Sequence, residues 1–136
     1  MQRQAYVEPG VTQPAGARLA AAIAAQDAGG LRAVLADELD FQALTPRRHW
    51  QAATGSEAVD DVILGHWFSP ACEVQELDAL STGNVADREH VAYRLRVREA
   101  GRDYLVEQQA YYQTEDGRIS WLRILCSGYQ PIAPGS

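Results

Sequence analysis

The sequence contains few cysteines, an excess of acidic residues and no long apolar run. Its two cysteines, Cys72 and Cys126, lie far apart. Without a secretion signal they are expected to be reduced thiols of a cytoplasmic protein and not a disulfide bridge.

The formal net charge is −6, so nucleic acid is not expected as a partner, because phosphates are bound by clustered basic residues. No stretch is long enough to span a membrane, so no membrane partner is expected either.

The sequence also lacks the usual patterns for metals and cofactors. Its three histidines have no metal-ligand spacing with Asp, Glu or Cys, so no metal site is predicted. No glycine-rich phosphate loop follows a predicted strand, which argues against a nucleotide, and no cofactor is predicted.

The chain length and composition favour a single globular domain. The 136 residues, of which 46% are hydrophobic, suffice for a real core without disulfide bridges. Proline and glycine with little apolar periodicity predict a flexible arm over residues 1–15. We assign residues 16–130 to one domain and residues 131–136 to a fraying C-terminal tail.

The first half of the chain predicts three helices. An alanine-rich helix over Ala17–Ala28 is expected to stop at Gly29 and Gly30, and a short helix follows over residues 31–35. Residues 40–44 alternate like a short strand, and residues 47–55 look like a polar loop. A third helix is predicted from Ser56 to Pro70, with an inward stripe of Val59, Ile63 and Trp67.

The second half predicts four long strands over residues 72–80, 89–99, 103–114 and 118–128. Residues 81–84, residues 100–102 and a four-residue loop, Thr114–Gly117, are expected to connect them. In the last strand Leu122 and Ile124 share one face, and the other face carries Ile119, Trp121 and Leu125. A strand that is apolar on both faces needs cover on both, so the outer face of the sheet is expected to form a homodimer.

This order of elements predicts an α+β fold with helices packed on one face of a curved antiparallel sheet. The segments AIAAQDAGGLRAVLADELDF, GSEAVDDVI and YLVEQQAYYQTEDGRISWLRILCSG occur in an order that resembles the nuclear transport factor 2-like superfamily. This superfamily includes ketosteroid isomerases and SnoaL-like polyketide cyclases. The resemblance covers about residues 17–129 and implies a cone-shaped sheet with three N-terminal helices on its concave face and a pocket inside the cone.

Aligned residue by residue, the chain lacks the isomerase chemistry. The tyrosine that helps to hold the oxyanion falls on Leu19, the aspartate base on Ala43 and the protonated acid on Gln109. Steroid isomerisation needs a base with a suitable pKa and donors for the enolate oxygen, so this activity is excluded.

The resemblance places Leu105, Glu107, Gln109 and Tyr111 on the cavity side of their strand. Glu107 among apolar groups is then the candidate general base or acid, with Gln109 and Tyr111 orienting a ligand. In the alternative, Glu107 pairs with an arginine or caps a buried backbone group.

Other side chains are candidates for the pocket wall and mouth. His49 could act as an acid at the mouth, or could simply be exposed. The apolar wall would suit an aromatic or polycyclic ligand, although such residues also form ordinary cores. The predicted wall comprises Phe41, Trp50, Trp67, Tyr93, Leu122 and Cys126.

Two functions remain open. The first is a SnoaL-like protein that encloses a small apolar or aromatic oxygenated molecule, with lyase, cyclase, isomerase or hydratase chemistry using Glu107. The second is a non-catalytic dimerisation or protein-binding domain whose cavity is filled by its own side chains. The mid-strand polar residues favour the first function, and the loss of the isomerase groups favours the second.

Overall fold

The computed structural model describes residues 13–132, and these form helices packed against one curved sheet. Residues 1–12 of the predicted arm and residues 133–136 of the predicted tail lie outside the described residues. Helix α1 begins at Ala15, inside the predicted arm. The helices are α1 (Ala15–Ala24), α2 (Ala28–Val34), α3 (Gly55–Glu57) and a π-helix (Ala58–Trp67). The strands are β1 (Leu35–Thr45), β2 (Arg48–Thr54), β3 (Cys72–Val85), β4 (Arg88–Glu99), β5 (Arg102–Glu115), β6 (Arg118–Cys126) and β7 (Gln130–Pro131).

The strands form one sheet in the order β2-β1-β6-β5-β4-β3, with the short β7 paired to β5. The predicted α+β class and the cone with helices on its concave face are confirmed. One pair differs from the predicted antiparallel sheet, because β1 runs parallel to β6. This pairing places the N-terminal β1–β2 hairpin beside the last long strand.

The first two helices differ from prediction at the glycines. Gly29 and Gly30 lie inside α2, because the side chain of Asp27 caps this helix by accepting a hydrogen bond from the Gly30 amide at 3.0 Å. The acidic cap therefore starts a new helix where the glycines were expected only to end the previous one. At the start of α1, the amide of Gly16 donates to the Tyr112 hydroxyl at 2.8 Å, which fixes the helix to the inner face of β5.

The third helical segment is capped by Thr54 and not by Ser56. The Thr54 hydroxyl accepts from the Glu57 amide at 3.0 Å, and the helix widens into a π-helix from Ala58. The predicted inward stripe is correct, since Val59 and Ile63 are fully buried and Trp67 is 8% exposed. This helix therefore holds the Trp67 ring against the concave face of the sheet.

Several predicted connections are strands. Residues 48–54 form β2, which pairs with β1, and the turn before it places Arg47 at φ 69°. Residues 81–84 belong to β3, and the turn to β4 follows them. The predicted four-residue loop is a tighter turn in which Asp116 and Gly117 both have positive φ, 54° and 80°. Two successive positive φ angles are typical of the two-residue hairpin turn, which matches the twist of the flanking strands.

A bulge changes the faces of β6. The register between β5 and β6 shifts between Gln113 and Thr114, and Ile119 joins Leu122 and Ile124 in the buried core. The prediction of Ile119 on the outer face was therefore wrong, because one extra residue reverses the alternation of a strand. Trp121 and Leu125 remain on the outer face, where Leu125 is 56% exposed.

No helix among residues 13–132 is long and apolar enough to cross a membrane.

Candidate functional site

A cavity of about 350 Å³ lies on the helix-covered side of the sheet. The β1–β2 hairpin, the end of the π-helix and the chain around the end of β6 contribute its walls. The rings of Trp50, Trp67 and Tyr129 line it together with Phe68, Val106 and Cys126. A cavity of this size with mainly apolar and aromatic walls is typical of small-molecule sites.

Two buried side-chain donors have no acceptor among the described residues. The indole Nε1 of Trp67, a cavity-lining residue, has no hydrogen-bond partner among the described residues, and neither has Nε2 of Gln108. Gln108 is 1% exposed and is the buried polar side chain of the described core. Leaving such a donor unpaired costs about 1–3 kcal/mol.

The other end of the Gln108 amide is paired with Tyr93. The Tyr93 hydroxyl donates to Oε1 of Gln108 at 2.6 Å. Burial, with a smaller contribution from Cys126, raises the pKa of Tyr93 far above its ordinary value, because an anionic phenolate is disfavoured away from water. Tyr93 therefore stays neutral and keeps its hydrogen bond to Gln108.

The segment after β6 closes one side of the cavity. The Tyr129 hydroxyl donates to the backbone carbonyl of Trp67 at 2.6 Å, and Gly128 turns the chain with φ 75°. Burial is the largest cause that raises the pKa of Tyr129 and of the nearby Cys72 thiol. Cys72 and Cys126 are both free and buried, and the raised pKa of Cys72 is the opposite of that of a reactive thiolate.

The rim of the cavity carries an aromatic and cationic cluster. The Arg48 guanidinium lies 3.6 Å from the centre of the Trp50 ring, and the His66 ring lies 5.1 Å from it. The Trp50 indole is fixed by donating to the Thr45 hydroxyl at 2.9 Å. Glu99, at the end of β4, adds an acidic group to the lining.

The three predicted catalytic residues lie on the outer face of the sheet. The side chain of Glu107 is 63% exposed and lies 3.7 Å from the Arg94 guanidinium. The predicted placement of Glu107 inside the cone was therefore wrong. Glu107 instead pairs with an arginine, Arg94, as in the alternative given by the sequence analysis.

His49 and Tyr111 border a separate groove on the same outer face. His49 Nε2 lies 3.1 Å from Oε1 of Gln42, and the Tyr111 ring lies 4.8 Å from the ring of His90. Gln109 is also exposed there, with its Oε1 3.0 Å from His90 Nε2. The predicted orientation of Gln109 and Tyr111 toward the cavity was also wrong, because positions 107, 109 and 111 alternate with the buried positions of β5 and so lie on its opposite face.

The predicted wall residues all lie on the inner side of the sheet or on the helix that covers it. Trp50, Trp67 and Cys126 line the cavity. Phe41 packs against Trp67 with ring centres 6.1 Å apart, while Tyr93 and Leu122 lie deeper in the buried core.

Sequence reasoning missed Gln108 and the positions of Arg48 and His66 in the cavity lining. The inner face of β5 consists of Val106, Gln108, Ala110 and Tyr112, which are all buried. This set alternates correctly for a strand, and its one polar member is a signal that could have identified Gln108. Two isomerase positions, Leu19 and Ala43, are buried and carry no ionisable group.

Among residues 13–132, no group of three or more His, Cys, Asp or Glu side chains could hold a metal ion.

The groove on the outer face has a volume of about 320 Å³ and apolar walls. Leu44 and Leu125, neighbours in the parallel β1–β6 pair, are 53% and 56% exposed there. Arg123 borders this groove and pairs with Asp40 at 3.1 Å. Exposed apolar residues side by side on a sheet face are typical of a protein-protein contact.

Several solved structures superpose on this chain at low sequence identity. A proposed isomerase from Rhodopseudomonas palustris superposes with a TM-score of 0.63 at 15% identity, covering 86% of this chain and 92% of the other. An LEH-like epoxide hydrolase from M. tuberculosis gives 0.61 at 12% identity, covering 83% and 80%. An NTF2-like protein from Burkholderia thailandensis gives 0.61 at 16% identity, covering 85% and 92%.

Comparison of sequences finds no matching family model and no matching curated protein. The structural likeness shows that the fold is the nuclear transport factor 2-like fold.

Proposed function

Because the chain has the nuclear transport factor 2-like fold, we propose that it binds a small, largely apolar molecule in the cavity on the helix-covered side of the sheet. The observation that carries this proposal is the cavity of about 350 Å³ between Trp50, Trp67 and Tyr129. Solved proteins of this fold include one named as an epoxide hydrolase and one as a proposed isomerase, which supports a small molecule as the ligand.

The walls favour a flat aromatic ligand. Trp50 and Trp67 meet edge to face, with ring centres 6.1 Å apart and planes at 88°. A ligand ring in the cavity can therefore stack on one indole and meet the edge of the other, which are the preferred geometries for aromatic pairs. The cavity volume suits a ligand of one or two fused rings, since small-molecule sites begin at about 300 Å³.

The unpaired donor of Trp67 favours an oxygen atom on this ligand. Its indole N–H has no acceptor among residues 13–132, and a carbonyl or sulfonate oxygen would supply one. The Arg48 guanidinium at the rim adds a positive charge for a partly negative group. The ligand class is thus an aromatic molecule with at least one acceptor oxygen.

Titration with the aromatic dye anilinonaphthalene sulfonate tests the proposal, since the dye fluoresces when it enters an apolar site. Trp50→Ala removes one wall and should weaken dye binding about tenfold, as expected for the loss of roughly 1.4 kcal/mol. Trp121→Ala is the matched control, because Trp121 lies on the outer face between Arg88 and Arg123. Equal effects of the two substitutions would refute binding in the cavity.

A homodimer through the outer sheet face belongs to the same proposal. The apolar groove with Leu44 and Leu125 supports it. The face also carries charges of both signs, including Arg94, Glu107 and Arg123. Such a mixed face can be self-complementary about a two-fold axis. The partner would cover the outer face and leave the cavity open on the other side of the sheet.

A further inference from the structure

Arg48 presents an unpaired cation to the cavity. This residue of β2 lies in the cavity lining, and its guanidinium is stacked on the Trp50 ring, 3.6 Å from the ring centre. No carboxylate of residues 13–132 lies within 4.0 Å of it. Stacking uses the flat face of a guanidinium and leaves the N–H groups at its edge available. Arg48 is therefore held in place by Trp50 and can still donate to an anion.

Glu99 presents an unpaired anion to the same cavity. It is the last residue of β4, is half-buried and belongs to the lining. No arginine or histidine nitrogen in the described part of the chain lies within 4.0 Å of its carboxylate. Burial is the main cause of the raised pKa of Tyr129 and of Cys72, and the negative charge of Glu99 adds to it in both. The carboxylate of Glu99 therefore acts on the side of the cavity that Tyr129 forms.

The curvature of the sheet brings these two charges to one cavity. In the order of the sheet, β1, β6 and β5 separate β2, which carries Arg48, from β4, which carries Glu99. Both residues nevertheless line the same cavity, and they form no ion pair with each other. The lining also contains the rings of Trp50, Trp67 and Tyr129. The cavity is therefore an aromatic space with a cationic end at β2 and an anionic end at β4.

We propose that the ligand is an aromatic acid with two polar ends, a carboxylate that binds Arg48 and a hydroxyl or amino group that donates a hydrogen bond to Glu99. A carboxylate suits the edge of a guanidinium, since its two oxygens accept two parallel N–H bonds. The Glu99 carboxylate only accepts hydrogen bonds, so it needs a donor on the ligand. It also repels a second anionic group, so the ligand binds in one orientation.

This ligand class rests on the proposed function and narrows it. An uncharged ring without polar groups would take water from Arg48 and Glu99 and leave both charges unpaired, which lowers affinity. An aromatic dianion would place a negative charge beside Glu99. We therefore expect the cavity to discriminate against both of these classes.

Three naphthalene probes separate the two ends. Hydroxynaphthoate carries a carboxylate and a hydroxyl at opposite ends of its fused rings, naphthoate has only the carboxylate, and naphthol has only the hydroxyl. Fused rings of this size suit the cavity of about 350 Å³. Isothermal titration calorimetry measures the three affinities, and we expect wild type to bind hydroxynaphthoate at least about tenfold more tightly than either other probe.

Arg48→Met tests the cationic end. Methionine keeps a long unbranched side chain over Trp50 but carries no charge. We expect the affinity for hydroxynaphthoate and naphthoate to fall about tenfold, and the affinity for naphthol to stay within about twofold of wild type. Equal losses for all three probes would show that Arg48 only supports the Trp50 ring, and would overturn the proposal.

Glu99→Met tests the anionic end. We expect the affinity for hydroxynaphthoate and naphthol to fall at least about fivefold, because their hydroxyl loses its charged acceptor. Naphthoate has no donor and is repelled by Glu99, so it should bind this variant no more weakly than wild type. An unchanged affinity for hydroxynaphthoate, or the same loss for all three probes, would overturn the role of Glu99 and with it the two-ended ligand.

Arg96→Met and Glu107→Met are the matched controls. Arg96 lies between the buried residues Leu95 and Val97 of β4 and hence on the outer face, where Glu107 is 63% exposed. Both variants should bind the three probes as wild type does. A change of probe selectivity in either control would place the recognition outside the cavity.

Binding of anilinonaphthalene sulfonate separates the possible failures. If Trp50→Ala weakens dye binding, but the three probes do not bind or bind without the expected selectivity, the two-ended ligand is wrong and the binding site remains. If the dye does not bind in the cavity at all, the proposed function fails, and the two-ended ligand fails with it.

Discussion

The Tyr93 hydroxyl and the Gln108 amide form a buried hydrogen bond of 2.6 Å between neighbouring positions of β4 and β5. Both side chains point to the inner face of the sheet, where Gln108 is 1% exposed and Tyr93 is 3% exposed. The amide nitrogen of Gln108 remains without an acceptor. This pair is therefore a polar element inside an otherwise apolar core, and its energetics can be measured.

Removing one member of this pair should cost more than removing both. Tyr93→Phe leaves both ends of the Gln108 amide unpaired, and we expect it to lower the free energy of unfolding by about 1–3 kcal/mol. Adding Gln108→Leu removes the unpaired amide and should restore most of that loss. Urea denaturation of the single and double variants measures the effect. A double variant less stable than Tyr93→Phe would contradict this account.

The buried tyrosines should make the protein sensitive to alkali. Burial raises the pKa of Tyr93, Tyr112 and Tyr129 in the folded chain, while an unfolded tyrosine has a pKa of about 10. Above about pH 10 the unfolded state loses these protons first, so stability that is complete below this pH falls as the pH rises.

Tyr93→Phe removes one of these groups, and its free energy of unfolding should therefore decline less steeply above about pH 10 than that of wild type. Denaturant titrations at a series of alkaline pH values give the two slopes. Parallel slopes would mean that Tyr93 ionises in the folded state as it does in water.

Charge in the outer groove should break the proposed homodimer. Leu44→Arg and Leu125→Arg each place a cation in an apolar groove, and we expect monomers in sedimentation equilibrium. Leu80→Arg is the control, since Leu80 is 45% exposed on the edge strand β3 and away from the groove. An oligomeric state that all three variants share with wild type would place any subunit contact elsewhere.

Neutralising Glu107 should leave ligand binding intact. Its carboxylate is on the outer face, 3.7 Å from Arg94, and exposed ion pairs contribute about 0–1 kcal/mol. We expect Glu107→Gln to bind anilinonaphthalene sulfonate as wild type does and to melt within a few degrees of it. A loss of dye binding in this variant would show that the ligand contacts the outer face.

The order of elements and the fold could be predicted from the sequence, because amphipathic helices and long strands rich in β-branched and aromatic residues have clear periodic patterns. The inward stripe of Val59, Ile63 and Trp67 is one example. The strand β2 could not be predicted, since RHWQAAT contains few β-branched residues and looks like a polar loop. Its pairing depends on β1, which is a tertiary effect.

The site was harder to predict because both faces of β5 contain apolar residues. Leu105 and Tyr111 suggest one inner face, and Val106 and Tyr112 suggest the other. Choosing the wrong face reverses every side chain of the strand. The sequence prediction therefore placed Glu107 inside the cone, whereas the structure buries Gln108 and exposes Glu107. The position of His66 depends on a π-helix, and a periodicity of 3.6 residues gives no indication of one.

The most direct test of the cavity is the heteronuclear NMR spectrum of the three tryptophan indole N–H groups during titration with anilinonaphthalene sulfonate. Trp50 and Trp67 line the cavity, whereas Trp121 lies on the outer face between two arginines. We predict that the Trp67 signal shifts furthest, because its N–H gains an acceptor, and that the Trp121 signal does not move. A shift of Trp121 with unchanged signals for Trp50 and Trp67 would contradict ligand binding inside the cone.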